Sequence, residues 1–126
     1  MLKFPYGISN FHRIITNNYF YVDRTNHIRL IEDAGDQILF LRPRRFGKSL
    51  LLSMLENYYD VAKADEFDKL FGNLAIGKNP TPLHNQYLVM KWDFSNINPK
   101  GEAQQIEMRL YHYINRSLQD FVDKYQ

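Results

Sequence analysis

The sequence predicts an α/β fold in which a parallel sheet is flanked by helices. Two strand-like runs, 37–41 and 87–92, alternate with helix-like runs, and this alternation is typical of parallel sheets. Residues 38–41 are all apolar, which suits a strand that is covered on both faces. A complete doubly wound sheet has more strands than these two runs provide. We therefore expect the chain to be the N-terminal part of a larger α/β domain.

The N-terminal region, residues 1–35, precedes the first confident strand. Residues 1–22 are aromatic and irregular, with a short strand predicted at most over 19–22. Cap-type residues come before Ile28, and Gly35 follows the apolar positions, so a helix is predicted over 25–34.

Residues 36–60 are predicted to hold the strand at 37–41, a loop at 42–47 and a helix from about 48. The remainder, 61–126, is predicted to hold a short helix over 64–71, the second strand at 87–92 and an amphipathic helix over 101–125. In the short helix, the residues expected to face inward are Phe67, Leu70 and Phe71. In the last helix, apolar residues recur at three- and four-residue steps: Ile106, Leu110, Ile114, Leu118, Phe121 and Tyr125.

Composition excludes several classes of protein. The chain has 126 residues and a net charge of +2, which is too mild to imply nucleic-acid binding by itself. It has no cysteine, so disulfides and thiolate metal sites are excluded. The N-terminus lacks the apolar core of a signal peptide, and no apolar run is long enough to span a bilayer. We expect a cytoplasmic protein without a membrane partner.

The stretch 40–49 carries the strongest functional signal. It reads Phe-Leu-Arg-Pro-Arg-Arg-Phe-Gly-Lys-Ser, and its end matches the end of a phosphate-binding P-loop, the Walker A motif. Gly47 lets the backbone approach phosphates, Lys48 would reach the β- and γ-phosphates, and the Ser49 hydroxyl would hold Mg²⁺. The sequence therefore predicts a site for ATP and Mg²⁺. The residues predicted to bind the cofactor are Arg44, Arg45, Phe46, Gly47, Lys48, Ser49 and Leu50.

The motif departs from the common pattern at two positions. Arg42 stands where the first glycine is usual, and Pro43 removes one N–H donor from the loop. The alternative interpretation is that Gly47 is a turn glycine, Lys48 a surface lysine and Ser49 an ordinary helix cap.

Two acidic residues have competing interpretations. Asp93 follows the second strand, so it either holds Mg²⁺ through water or begins a turn before Phe94. Asp23 either caps the helix that follows it or belongs to a nucleotide pocket. Aromatic residues 19–21 either stack on adenine or pack in the core.

These residues together resemble the AAA-ATPase-like family of bacterial proteins. Residues 6–11 resemble its G-I-S-D-F motif, and 21–25, Tyr-Val-Asp-Arg-Thr, resemble its Y-V-D-K-T motif. Residues 40–49 resemble its R-P-R-R-F-G-K-[ST] loop, in which arginine at the first glycine position is normal. Residues 90–95 resemble the next strand of that family. The family's acidic L-I-D-E-Y-D motif lies further downstream and has no counterpart here.

The resemblance implies the N-terminal portion of a P-loop NTPase domain that binds nucleotide. Members of the family are often fused to a nuclease-like domain of the PD-(D/E)XK type, so contact with nucleic acid through a parent protein is also implied. No residue of this chain can be assigned to such chemistry. We expect an ATPase-like module with little activity in isolation and a tendency to self-associate.

Two other interpretations remain open at this point. One is a non-hydrolysing module that binds nucleic acid or phosphate through the basic loop 42–48. The other is a small-molecule kinase, although we find no lid or acceptor pocket in the sequence. Binding of nucleotide that depends on Mg²⁺ and Lys48 separates the first interpretation from an ATPase-like module, whereas a steep salt dependence favours nucleic acid.

Overall fold

The structure is a computed structural model that describes residues 3–41 and 47–126, without the side chain of Asn96. The chain divides into two compact units, Met1–Val89 and Met90–Gln126. Two short 3₁₀ helices span Val61–Glu66 and Phe94–Asn96. The α-helices of the described residues are α1 Phe11–Thr16, α2 His27–Ala34, α3 Lys48–Tyr59, α4 Phe67–Phe71, α5 Ala75–Lys78 and α6 Ala103–Tyr125.

The predicted α/β fold with a parallel sheet is wrong. The described residues form helices and loops and contain no strand. Both predicted strand segments, 37–41 and 87–92, lie within the described part of the chain and are neither helix nor strand. The β pairing that the structure does contain is limited, in the described residues, to isolated bridges between Lys3 and Tyr19 and between Asp60 and Tyr87.

The prediction failed because an apolar run indicates a need for burial but does not provide a pairing partner. A strand satisfies its N–H and C=O groups through a neighbouring strand, so it forms only where that neighbour exists. In the structure most apolar side chains of the two runs are exposed, among them Leu39 by 83%, Leu41 by 69% and Leu88 by 58%. Tyr87 uses its backbone at the end of α3 instead, where its amide donates to Tyr59 and its carbonyl accepts from Val61.

The core of the first unit contains residues from α1, α2, α3, α4 and α5. Its buried apolar residues are Phe11, Ile14, Ile28, Met54, Tyr58, Leu70, Phe71 and Ile76. Aromatic rings fill its centre: Phe71 stacks on Phe11 at 5.0 Å between centroids and meets Tyr58 edge-on at 5.4 Å. Large rings bury much apolar area each, so this cluster dominates the stability of the unit.

The predicted helices from 48 and over 101–125 are confirmed with small shifts in their ends, and the helix predicted over 25–34 is confirmed as α2. The segment 64–71 is partly 3₁₀, and its residues Leu70 and Phe71 are buried as predicted. The sequence analysis missed α1, although Asn10 caps it by accepting a hydrogen bond from the amide of Arg13 at 3.0 Å.

A hydrogen-bonded network of four side chains ties α2 to α3. Thr81 donates its hydroxyl to Glu32 Oε1 at 2.7 Å, and Tyr59 donates to the same oxygen at 2.8 Å. The Thr81 hydroxyl proton is thereby committed, so the Tyr58 hydroxyl donates to Thr81 Oγ1 at 2.8 Å and accepts from the Thr81 amide at 2.9 Å. Burial, together with the bond to Glu32, raises the pKa of Tyr59 far above its ordinary value.

The second unit consists of the segment 90–102 and the long helix α6. Of the apolar residues that recur at three- and four-residue steps along α6, Leu118 is 42% exposed and the others are half-buried. No helix in the described ranges is both long enough and apolar enough to cross a membrane.

Candidate functional site

The Gly47-Lys48-Ser49 sequence lies at the beginning of α3. Gly47 is the residue before the helix, with φ +84° and ψ +19°, a left-handed conformation that favours glycine. Lys48 and Ser49 are the first two helical residues, and both are exposed to solvent. Leu50 follows, and it is half-buried against the core. Glycine is therefore needed here for a conformational reason, and the lysine and serine are accessible.

The start of α3 presents backbone N–H groups that the helix itself does not satisfy. The first four N–H groups of any α-helix lack an intrahelical acceptor. Gly47 has no side chain with which to cap this helix end, and its carbonyl begins the helical bonding by accepting from the Leu51 amide at 2.9 Å. The same end carries the positive pole of the helix dipole. These conditions favour an anion at this end, beside the Lys48 ammonium group.

Three predicted cofactor residues, Arg44, Arg45 and Phe46, lie outside the described residues, as do Arg42 and Pro43. Four others, Gly47, Lys48, Ser49 and Leu50, are described. Gly47 immediately precedes α3, and the other three are the first residues of that helix. Their roles in cofactor binding remain predictions.

The middle of α3 is anchored by polar groups that sequence analysis missed. Ser53 is buried and accepts a hydrogen bond from the amide of Phe11 at 2.9 Å through its hydroxyl. Asn57 is also buried and donates to the Ser53 carbonyl at 2.7 Å. Ser53 and Asn57 could have been identified from the sequence, because they lie four positions apart in a helix whose neighbouring residues are mostly apolar. The bond from Phe11 holds α1 against α3, and the bond from Asn57 lies within α3.

The C-terminal end of α3 is capped by a loop from further along the chain. Asn85 has a positive φ of +54°. Its backbone N–H donates to the Tyr58 carbonyl at 2.8 Å, and its side-chain NH₂ donates to the Asp60 carbonyl at 2.8 Å. Carbonyls at a helix end need such partners when they are buried. The middle and the C-terminal end of α3 are therefore fixed within the unit, whereas Lys48 and Ser49 at its beginning are exposed.

The family-like motif at 21–25 also has a structural role. One carboxylate oxygen of Asp23 accepts hydrogen bonds from the Thr25 amide at 3.0 Å and the Thr25 hydroxyl at 2.6 Å. Its other oxygen accepts from the Ala75 amide at 2.7 Å. Thr25, which is fully buried, accepts from the Ile76 amide at 3.1 Å. These two side chains therefore cap α5, a helix that sequence analysis missed because its cap comes from about 50 residues earlier.

The aromatic residues of 19–21 pack within the first unit. Tyr21 meets Phe11 edge-on at 5.5 Å, and its hydroxyl contacts the sulfur of Met54 on α3 at 3.4 Å. Burial and the nearby charge of Asp23 raise the pKa of Tyr21 to about 12. Phe20 packs edge-on against Phe4 at 5.6 Å. Both N-terminal motifs therefore contribute an aromatic ring, Phe11 or Tyr21, that supports α3.

The capping role of Asp23 predicts a pH-dependent stability. Burial alone would raise the pKa of Asp23, but hydrogen bonds from Thr25 and Ala75 and the charge of Lys78 lower it below the ordinary value of 3.8. A carboxyl group whose pKa is lowered by folding adds stability above its unfolded pKa and loses it as the pH falls through the folded pKa.

We therefore expect Asp23→Asn to destabilise the chain by about 0.5–1 kcal/mol at pH 7 and by less at pH 3. Urea unfolding at both pH values measures the difference, with the exposed Asp33→Asn as a matched control. A gap between wild type and Asp23→Asn that stays constant from pH 7 to pH 3 would contradict this role.

Asp93 lies in the second unit and begins the short 3₁₀ helix. Its Oδ1 accepts from the Ser95 amide at 3.0 Å and from the Ser95 hydroxyl at 2.6 Å. These hydrogen bonds lower the pKa of Asp93 below its ordinary value. This is the turn-forming geometry of the alternative interpretation, and the proposed magnesium role of Asp93 remains a prediction.

Comparison with known proteins adds one family and one relative. A family model described as "Predicted AAA-ATPase" matches residues 5–126. A protein from Azotobacter chroococcum mcd 1, described as "Uncharacterized protein in vnfD 5'region", is 40% identical over 58 residues, which are 45% of this chain and 11% of that protein. No solved structure matches the chain. Because the family model spans nearly all of the sequence, including all three motifs described above, the chain belongs to the AAA-ATPase-like family.

Proposed function

We propose that this chain is a nucleotide-binding, ATPase-like module whose phosphate site lies at the N-terminus of α3. The observation that carries the proposal is that Gly47 directly precedes α3 and that the exposed Lys48 and Ser49 are its first residues. The middle and the C-terminal end of this helix are anchored in the first unit. Membership of the AAA-ATPase-like family supports ATP as the ligand.

The residues present fit a triphosphate and its metal ion. Lys48 supplies a mobile ammonium charge for phosphate oxygens, and the N–H groups of the first turn supply neutral donors. The Ser49 hydroxyl is an oxygen ligand of the kind that Mg²⁺ accepts beside substrate phosphates. Arg44 and Arg45 precede this turn in sequence and would add positive charge. When bound, Mg²⁺ would neutralise charge on the phosphates.

The direct test is calorimetric titration of the chain with ATP in the presence of Mg²⁺ and again with EDTA. We expect saturable binding that weakens when Mg²⁺ is removed. Absence of ATP binding, together with tight binding of an oligonucleotide that weakens steeply with salt, would replace this proposal by the alternative of nucleic-acid binding through the loop 42–48.

We expect negligible ATP turnover by this chain even where ATP binds. Hydrolysis needs a carboxylate that holds Mg²⁺ and a group that positions the attacking water. Asp93 is the sole candidate that the sequence offers for the first role, and one of its oxygens already accepts two bonds from Ser95.

A phosphate-release assay should give the same rate for wild type and Lys48→Ala. A robust rate that Lys48→Ala abolishes would contradict this expectation. Asp93→Asn would then be the next variant to assay.

A further inference from the structure

The second unit contains a cavity of about 590 Å³ beside α6. A volume of this size falls within the range of small-molecule sites, roughly 300–1,000 Å³. Its lining residues are Ile97, Arg109, His112, Tyr113, Asn115 and Arg116.

Two arginines and one histidine of the lining share one face of α6. Arg109, His112 and Arg116 are spaced i, i+3 and i+7, so their side chains project from the same side of a helix. Arg109 donates to the carbonyl of Asn98 at 2.9 Å and also to that of Lys100. Arg109 therefore holds the segment 98–100 against the helix and forms a fixed wall of the cavity.

Tyr113 builds the adjoining wall. Its hydroxyl accepts a hydrogen bond from the Asp93 amide at 2.6 Å, and its ring lies 5.9 Å from that of Phe94. Trp92 in turn meets Phe94 edge-on at 5.8 Å. Phe94 and Trp92 are 52% and 41% exposed, so a row of accessible rings leads away from the cavity.

The other two of these side chains are Arg116 and His112. Among the described residues, Arg116 and His112 form no ion pair and no hydrogen bond through their side chains. Asp120 lies one turn beyond Arg116 on the same side of α6 and is not paired with it. The neighbouring carboxylate of Glu107 accepts from Tyr111 at 2.9 Å. The donors that line the cavity are therefore available to a ligand.

We propose that this cavity binds the phosphate group of a nucleotide, at a site that does not include Lys48. The Arg116 guanidinium offers the forked donors that match phosphate oxygens, and His112 and Asn115 lie within one turn of it. The ring of Tyr113, followed by Phe94 and Trp92, provides surfaces on which a base stacks. A free mononucleotide and a single strand of nucleic acid share this chemistry.

The test uses the Lys48→Ala chain, which weakens the site proposed at α3, and variants of Arg116 in that background separate the two sites. Trp92 is the one tryptophan of the sequence, and its fluorescence reports binding beside the cavity. AMP and a fluorescein-labelled single-stranded oligonucleotide are titrated at low salt. Saturable binding of either probe is expected.

Arg116→Ala should lower the affinity for the bound probe at least about fivefold at low salt, because it removes a forked charged donor. His112→Gln should cause a smaller loss, and Arg116→Lys should fall between Arg116→Ala and the parent chain. Arg13→Ala and His27→Gln, which replace exposed residues of the first unit, are matched controls that should leave affinity unchanged. Far-UV circular dichroism confirms that each variant is folded.

The two probes distinguish the source of the phosphate. Comparable affinities for AMP and the oligonucleotide indicate a mononucleotide site, whereas an oligonucleotide bound at least about tenfold more tightly, with a steep salt dependence, indicates a nucleic-acid strand. Absence of binding by both probes would overturn the proposal. So would a folded Arg116→Ala or Arg116→Lys variant whose affinity equals that of Arg13→Ala.

Discussion

Lys48→Ala is expected to reduce the affinity of the chain for ATP in the presence of Mg²⁺ by about 2–4 kcal/mol. This corresponds to a factor of roughly 30 to 1,000 in the dissociation constant. The reason is the loss of a direct charged contact to phosphate oxygens, since a charge-assisted hydrogen bond is stronger than a neutral one. Isothermal titration calorimetry measures the change.

Two companion variants make this experiment specific to the position of Lys48. Lys69→Ala removes an exposed lysine from α4 and leaves the start of α3 unchanged, so it controls for the net charge of the chain. Lys48→Arg keeps the charge and should retain part of the affinity. Equal ATP affinities for wild type and Lys48→Ala would exclude Lys48 as a phosphate ligand, and equal losses for Lys48→Ala and Lys69→Ala would exclude a specific contact.

Phe71→Ala is expected to destabilise the chain by about 3–5 kcal/mol, the usual cost of truncating a fully buried aromatic ring. Phe71 is fully buried, and its ring contacts those of Phe11, Tyr58 and Phe67 at centroid distances of 5.0–5.5 Å. Small domains have total stabilities of about 5–15 kcal/mol, so the variant should lose a large part of its resistance to urea.

Urea unfolding followed by circular dichroism at 222 nm measures this effect. Phe4→Ala is the matched control, because Phe4 is 69% exposed and contacts one ring, that of Phe20. We expect Phe4→Ala to cost less than about 1 kcal/mol. Equal losses for the two variants would show that the stability of the chain does not depend on the aromatic core around Phe71.

The phosphate motif shows which parts of a candidate site can be predicted from sequence. The beginning of α3 at Lys48 was predicted correctly, because glycine before a helix and a lysine–serine pair at its start are local features. The support of that helix could not be predicted. The Ser53 hydroxyl accepts a hydrogen bond from the Phe11 amide, and the Asn57 side chain donates to the Ser53 carbonyl. The first of these bonds depends on how α1 packs against α3.

The residues of the motif at 21–25 were noticed, but their role depended on the tertiary structure. From the sequence, Asp23 had two possible roles: it either capped the next helix or belonged to a nucleotide pocket. In the structure Asp23 and Thr25 cap α5, a helix that begins at Ala75. The residue that precedes α5 is Leu74, whose side chain cannot cap a helix, so the local sequence gave no indication that a helix begins there.

The amino-acid sequence by itself determined the family, the positions of α2, α3 and α6, and the residues placed at the start of α3. Only the tertiary structure decided the conformation of residues 37–41 and 87–92, which were predicted to be strands and are neither strand nor helix. The difference has a physical reason. A helix forms its hydrogen bonds within its own residues, so its pattern is readable locally, whereas a strand depends on a partner elsewhere in space.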